Sequence, residues 1–167
     1  MAHILGRGGP AEAIGAEELE KLMRTCAAAV PSGAKKILLI PPDFSRFHSG
    51  AGEICAILYR ELSGSFQVDL LPALGTHRPM TAEEMTIMFP GVPHASIHVH
   101  DWCKGVRRLG EIPGDFVREI SGGKVDYPVR VELAAGIVEG GYDRIISVSQ
   151  IVPHEVVGMA GGNKNLL

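Results

Sequence analysis

The chain has 167 residues, 46% apolar and 21% charged, with 21 glycines, 11 prolines and a formal net charge of −3. At roughly 150 residues per domain this is enough for one domain with a real core, and a mean hydropathy of +0.15 with ordinary charge excludes a disordered tail. No apolar run approaches the roughly 18 residues of a membrane span, residues 1–10 lack a signal-peptide core, and the charge balance has no basic stripe to suit nucleic acid.

Residues 1–15 are glycine-rich and weakly patterned, and read as a short strand or an arm. Over 15–30 the apolar residues Leu19, Leu22, Met23, Cys26 and Val30 recur at helical spacing, and Pro31-Ser32-Gly33 stops the helix. The run Ile37-Leu38-Leu39-Ile40 reads as a buried strand ending in a Pro41-Pro42-Asp43 loop. A helix is expected over 49–62, with Ile54, Ile57, Leu58 and Leu62 on one face. A second buried strand over 67–74 ends in Gly75-Thr76-His77-Arg78, and Thr81 with Glu84 forms a capping box for a short helix reaching Phe89. Further strands are expected over 96–102, 129–138 and 144–152, the last closed by Pro153-His154.

Strands alternating with helices predict a single α/β domain, a mainly parallel sheet flanked by helices in a Rossmann-like arrangement. Ligands bind such sheets beyond the carboxyl ends of the strands. The loops expected there carry Asp43 and Arg46, then His77 and Arg78, then His100 and Asp101, then His154 and Lys164. The three cysteines (Cys26, Cys55 and Cys103) are widely spaced, which points away from a disulfide framework and toward a reducing cytoplasm. Cys55 is expected to face the core rather than to act as a nucleophile, and Trp102, Met85 and Met88 to pack.

The polar residues permit more than one chemistry. His77 and His154, on separate loops, suit an acid/base pair working on opposite faces of one substrate, as a racemase requires; each is equally open to the plainer role of bonding nearby backbone. Asp43-x-x-Arg46 suits a carboxylate or phosphate ligand, or else a local surface pair. In Gly158-x-x-Gly161-Gly162-x-Lys164 the glycines let backbone N–H groups approach an anion and Lys164 supplies a charge or a nucleophile. The alternative is a glycine-rich turn with a solvated lysine; the Walker A spacing is absent. His94, His98, His100 and Asp101 lack zinc-site spacing, so no metal is expected on that cluster alone.

Asp43-Phe44-Ser45-Arg46, Ala73-Leu74-Gly75-Thr76-His77-Arg78, His100-Asp101 and Pro153-His154-(x)3-Gly158-(x)2-Gly161-Gly162-Asn163-Lys164 occur in an order that resembles the N-terminal catalytic domain of nickel-dependent lactate racemases. The resemblance spans residues 37–167, and its last motif is the most specific. It implies a nickel-pincer nucleotide tethered through Lys164 beside Gly161 and Gly162, His77 and His154 as the two bases, and Asp43, Arg46 and Arg78 near cofactor and substrate. It also implies a small 2-hydroxy acid as substrate, proteins that make the cofactor as partners, and a mechanism in which one histidine takes the hydroxyl proton while hydride leaves the substrate carbon. Phe47 stands where many relatives have proline, Gly158-Met159-Ala160 where an aromatic and a serine are usual, and Asn163 where another residue is common. These departures leave the substrate open among lactate, related hydroxy acids and sugar acids.

The family's nickel-ligating histidine lies downstream of the lysine, as does its C-terminal domain, so residues 1–167 are expected to be the first part of a larger enzyme, with no metal ligand assigned in this chain. The alternative function is an inactive fragment, or a nucleotide- or phosphate-binding α/β domain without turnover.

Overall fold

The apolar run 37–40 forms the spine of the fold. In the computed structural model, which describes residues 5–6, 8–155 and 158–162, it lies in β1 (Lys36–Ile40), the central strand of a three-stranded sheet. β1 pairs in parallel with β2 (Gln67–Leu70) on one side and β5 (Arg144–Ser147) on the other. Alternate residues of a strand point to opposite faces, and both faces are covered here. Ile37 and Leu39 join the main core, while Leu38 and Ile40 pack with Leu71 on the other side. That two-sided burial is why the run is continuously apolar rather than alternating.

The main core is closed by helices. α1 (Ala16–Ala28) lays Met23, Cys26 and Ala27 against it, with Val30 just beyond its end. α2 (Ala51–Leu62) buries Cys55, Ile57, Leu58 and Leu62, and crosses between β1 and β2. The short α3 (Ala82–Met88) starts at the expected capping box: the Thr81 hydroxyl accepts from the Glu84 N–H, and the Glu84 carboxylate accepts from the Thr81 N–H. Met88 is buried and Met85 packs beside it. Cys55 is fully buried, and burial pushes its thiol pKa well up, as befits a packing residue.

The second half departs from the expected alternation. Residues 96–102 do not form a strand. A 3-10 turn at His94–Ser96 leads to one bridge, Leu70 to Ile97, because Ile97 is the buried apolar residue that this segment offers the sheet while Val99 stays exposed. Trp102 is 52% exposed rather than packed. The expected strand over 129–138 is shorter and lies outside the parallel sheet. β4 (Val129–Ala134) pairs antiparallel with the unexpected β3 (Val106–Ile112), with α4 (Gly114–Ile120) between them, and α5 (Ala135–Glu139) continues from β4. The run 144–152 divides into β5 and the start of β6 (Val152–His154), which pairs antiparallel with β7 (Gly158–Ala160). Residues 8–15 hold neither helix nor strand. The architecture is mixed α/β, with a parallel three-stranded sheet flanked by helices. No helix among the described residues is long and apolar enough to cross a membrane.

Candidate functional site

Parallel strands deliver their following loops to one end of the sheet. Backbone bonds continue the pairing past the strand ends, with Ala73 N–H donating to Pro41 O at 2.8 Å and Val148 N–H to Ile40 O at 3.0 Å. The loops after β1, β2 and β5 are therefore held side by side, and a cleft of about 530 Å³ opens between them. Asp43, Ser45 and Arg46 come from the first loop, His77 from the second, Ser149 and Gln150 from the third. Glu132 of β4 and Gly161 after β7 complete the wall, together with His100.

Asp43 is the centre of this arrangement. It caps a 3-10 turn at Phe44–Ser49 and is only 7% exposed. Its Oδ1 accepts from the Ser45 backbone N–H at 3.2 Å and from the Ser45 hydroxyl at 2.5 Å, and its Oδ2 lies 2.6 Å from His77 Nδ1. An ionised carboxylate only accepts hydrogen bonds, so His77 donates through Nδ1–H. Its Nε2 then carries the lone pair when the ring is neutral, and the side chain is 60% exposed at the cleft. A histidine oriented by a buried carboxylate is the arrangement of a general base.

Arg46 also lines the cleft, and its backbone (φ −108°, ψ 27°) breaks the helical turn there. Its guanidinium has no hydrogen bond or ion pair among the described residues, so the local Asp43–Arg46 surface pair does not form; Asp43 is taken by Ser45 and His77. A free guanidinium in a cleft is a ready partner for a carboxylate or phosphate.

Arg78 behaves differently. Its two terminal nitrogens donate to the Glu84 carboxylate at 2.9 and 2.6 Å, outside the residues that line the cleft. This pair raises the Arg78 pKa and lowers that of Glu84, in each case mainly through the hydrogen bond between them.

The glycine motif is drawn to the end of β5. Gly162 N–H donates to Ser149 Oγ at 2.5 Å and Ser147 Oγ donates to Gly162 O at 3.2 Å. Gly161 has φ +87°, and a Cβ there would lie 2.1 Å from Gln150 O, so this close approach requires glycine. Lys164 lies outside the described residues. His154, in β6, is not among the cleft-lining residues, but it shares a strand face with Val152, which is. Its side chain is 28% exposed, and its Nδ1 is 3.7 Å from Glu155.

The three histidines of the 94–100 segment diverge. His94 Nε2 bonds Thr86 Oγ1 at 2.9 Å, His98 Nε2 lies 3.6 Å from Asp69, and His100 turns to the cleft. Among the described residues no three His, Cys, Asp or Glu side chains converge on a metal position. His100 Nδ1 is buried without a hydrogen-bond partner. Sequence reasoning passed over Ser45, Glu132, Ser149 and Gln150 as cleft residues. Only Ser45 left a signal, through its place two residues after a helix-capping aspartate.

The model of the lactate racemase N-terminal domain matches residues 10–167. The chain belongs to that family. Its fold is also similar to a crystal structure of a protein from Thermotoga maritima, with a TM-score of 0.78 at 24% identity. The match covers 90% of this chain and 37% of the other, so the chain spans little more than a third of that protein's length. No curated protein matches it.

Proposed function

We propose that this lactate racemase N-terminal domain carries the acid/base half of a 2-hydroxy acid racemase or epimerase. The observation that supports it most directly is the Asp43–His77 pair, 2.6 Å apart, at a cleft that also holds the unpaired Arg46. Arg46 binds the substrate carboxylate, which turns the 2-hydroxyl toward His77 Nε2. His77 takes the hydroxyl proton, and Asp43 holds the imidazolium that results. His154, beside the same cleft on β6, serves the opposite face of the substrate.

The residues fit a nickel-pincer nucleotide. The cleft volume suits a mononucleotide, and the orphaned His100 Nδ1 marks a polar group that the protein itself leaves unsatisfied. Lys164 would tether the nucleotide, with Gly161, Gly162, Asp43 and Arg46 around it. The chemistry such a nucleotide supplies when bound is a reversible two-electron acceptor for the hydrogen at C2. On this reading the protein works in the cytoplasm and meets the proteins that make the cofactor. The substrate is lactate or a related hydroxy or sugar acid, residues 1–167 form one catalytic domain that a C-terminal domain completes, and β1–α2–β2 is a Rossmann-like kernel.

Co-expression with cofactor-making proteins, peptide mass mapping and chiral analysis of D- and L-2-hydroxy acids test this together. A mass adduct on Lys164 and interconversion of enantiomers are expected. An unmodified Lys164 overturns the tether, and enantiomers left unchanged by adduct-bearing protein that includes the C-terminal domain overturn the racemase.

A further inference from the structure

The turn that carries Asp43 does more than a cap requires. A helix cap needs one side-chain acceptor for one backbone N–H, and the Ser45 N–H to Asp43 Oδ1 bond at 3.2 Å meets that need whatever side chain stands at position 45. The Ser45 hydroxyl adds a second bond to the same oxygen at 2.5 Å. Ser45 lies at the cleft and is exposed, so water is open to its hydroxyl, yet the hydroxyl turns back to a carboxylate that is itself buried. The preceding Phe44 packs against the main core and pins the turn from behind.

The result is a division of labour between the two oxygens of Asp43. Oδ1 is held by two groups of Ser45, which leaves Oδ2 alone to accept from His77 Nδ1. Without the hydroxyl, Oδ1 keeps one long bond of 3.2 Å and the carboxylate's setting rests mainly on exposed His77 itself; with the hydroxyl in place Asp43 is anchored from the turn and presents Oδ2 in one direction. His77 is 60% exposed and is held on its Nδ1 side by Asp43, so its aim depends on that carboxylate. Hydrogen bonds to charged groups are the stronger ones, and orienting bonds behind a base set how well its free nitrogen is placed.

We propose that Ser45 is a positioning residue: its hydroxyl fixes the Asp43 carboxylate so that His77 keeps Nδ1–H bonded to Oδ2 and its Nε2 aimed into the cleft. This rests on the reading of His77 as the base, and it names a residue and an atom that the reading leaves out. No bond is made or broken at Ser45.

The test compares Ser45→Ala with Ser45→Thr, which keeps the hydroxyl, in the full chain labelled with nitrogen-15 in its histidines. Proton NMR of the His77 Nδ1–H, with its exchange rate against water, reads the bond without any activity. The proposal expects a sharp, slowly exchanging Nδ1–H in the parent chain and in Ser45→Thr, and a broadened, fast-exchanging one in Ser45→Ala at an unchanged fold. Any other pattern in a folded pair of variants overturns it, including equal behaviour of Ala and Thr. In cofactor-loaded protein, kcat should fall about tenfold to a hundredfold in Ser45→Ala, the worth of a hydrogen bond to a charged group, with KM unchanged and Ser45→Thr restored. Loss of KM with kcat intact overturns the role. A cofactor-loaded parent protein, C-terminal domain included, that racemises no 2-hydroxy acid counts against the racemase reading, and the NMR comparison still decides on Ser45.

Discussion

Asp43 and Arg78 both come from motifs that point to the site, yet the fold gives them opposite surroundings. Asp43 is buried with partners on both oxygens, whereas the Arg78 guanidinium sits on Glu84 away from the cleft. Asp43→Asn should therefore be severe. The Ser45 backbone N–H still demands an acceptor, so the amide places its oxygen there and its NH2 toward His77 Nδ1. That forces the proton onto Nε2, the wrong tautomer for a base, and kcat for racemisation by loaded protein should fall by about 10²–10⁴-fold, with Tm followed to confirm folding. Arg78→Ala should leave KM for the hydroxy acid unchanged and lower Tm by at most about 2 °C; a KM raised tenfold or more would return Arg78 to the substrate. Asp43, His77 and Arg46 were legible as a group because strand-end loops of a parallel sheet converge. The pairing of Arg78 was not legible, because a one-dimensional motif does not show that Glu84, six residues on, occupies its fork.

At the scale of elements, α2 meets α3 through Gly52. A Cβ at this position would lie 2.1 Å from Met88 O and 2.8 Å from Met88 Cγ, and the carbonyl is backbone that cannot turn aside. Alanine improves helix propensity by up to about 1 kcal/mol, but overpacking against an immovable neighbour costs about 1–3 kcal/mol, so Gly52→Ala should lower Tm by several degrees. Gly136, in α5, is the control: its nearest foreign atom is Leu71 Cδ2 at 4.0 Å, and Gly136→Ala should leave Tm level or raise it. Thermal melts of the two variants side by side check the argument. The same contrast in burial explains what sequence reading recovered. β1, β2 and α2 bury apolar residues in regular patterns, α1 lays a half-buried stripe against the core and α3 carries a capping box, and each was found within a few residues. β3 went unseen because Val106–Ile112 is exposed at five consecutive positions and bulges between Arg108 and Gly110, which erases any period-two signal. The split of 144–152 into β5 and β6 went unseen for another reason: one apolar run serves two sheets, and only the register shows where it changes partners.

Across the whole molecule, Asp143 joins the start of the central strand to the edge strand β5. Its Oδ2 accepts from the Lys35 and Lys36 backbone N–H groups at 2.8 and 2.9 Å, and those two bonds chiefly hold its pKa below the usual 3.8. Glu84 is held below its usual 4.5 by the Arg78 hydrogen bond. A carboxylate whose pKa is lowered by folding stabilises the native state above its unfolded value, and the benefit disappears as pH falls through its native value. Both groups therefore contribute fully at neutral pH. Their contribution should hold nearly level down to about pH 4.5 and then fall as each unfolded carboxylate takes up a proton that its native counterpart refuses. Urea unfolding followed by circular dichroism from pH 7 to pH 3 measures the slope. Asp143→Asn keeps an acceptor for the two N–H groups but removes the titration, so its stability should be lower at neutral pH and its loss in acid shallower by at most one proton. If the variant keeps the parent's slope below pH 4, the clasp between β1 and β5 does not set acid stability.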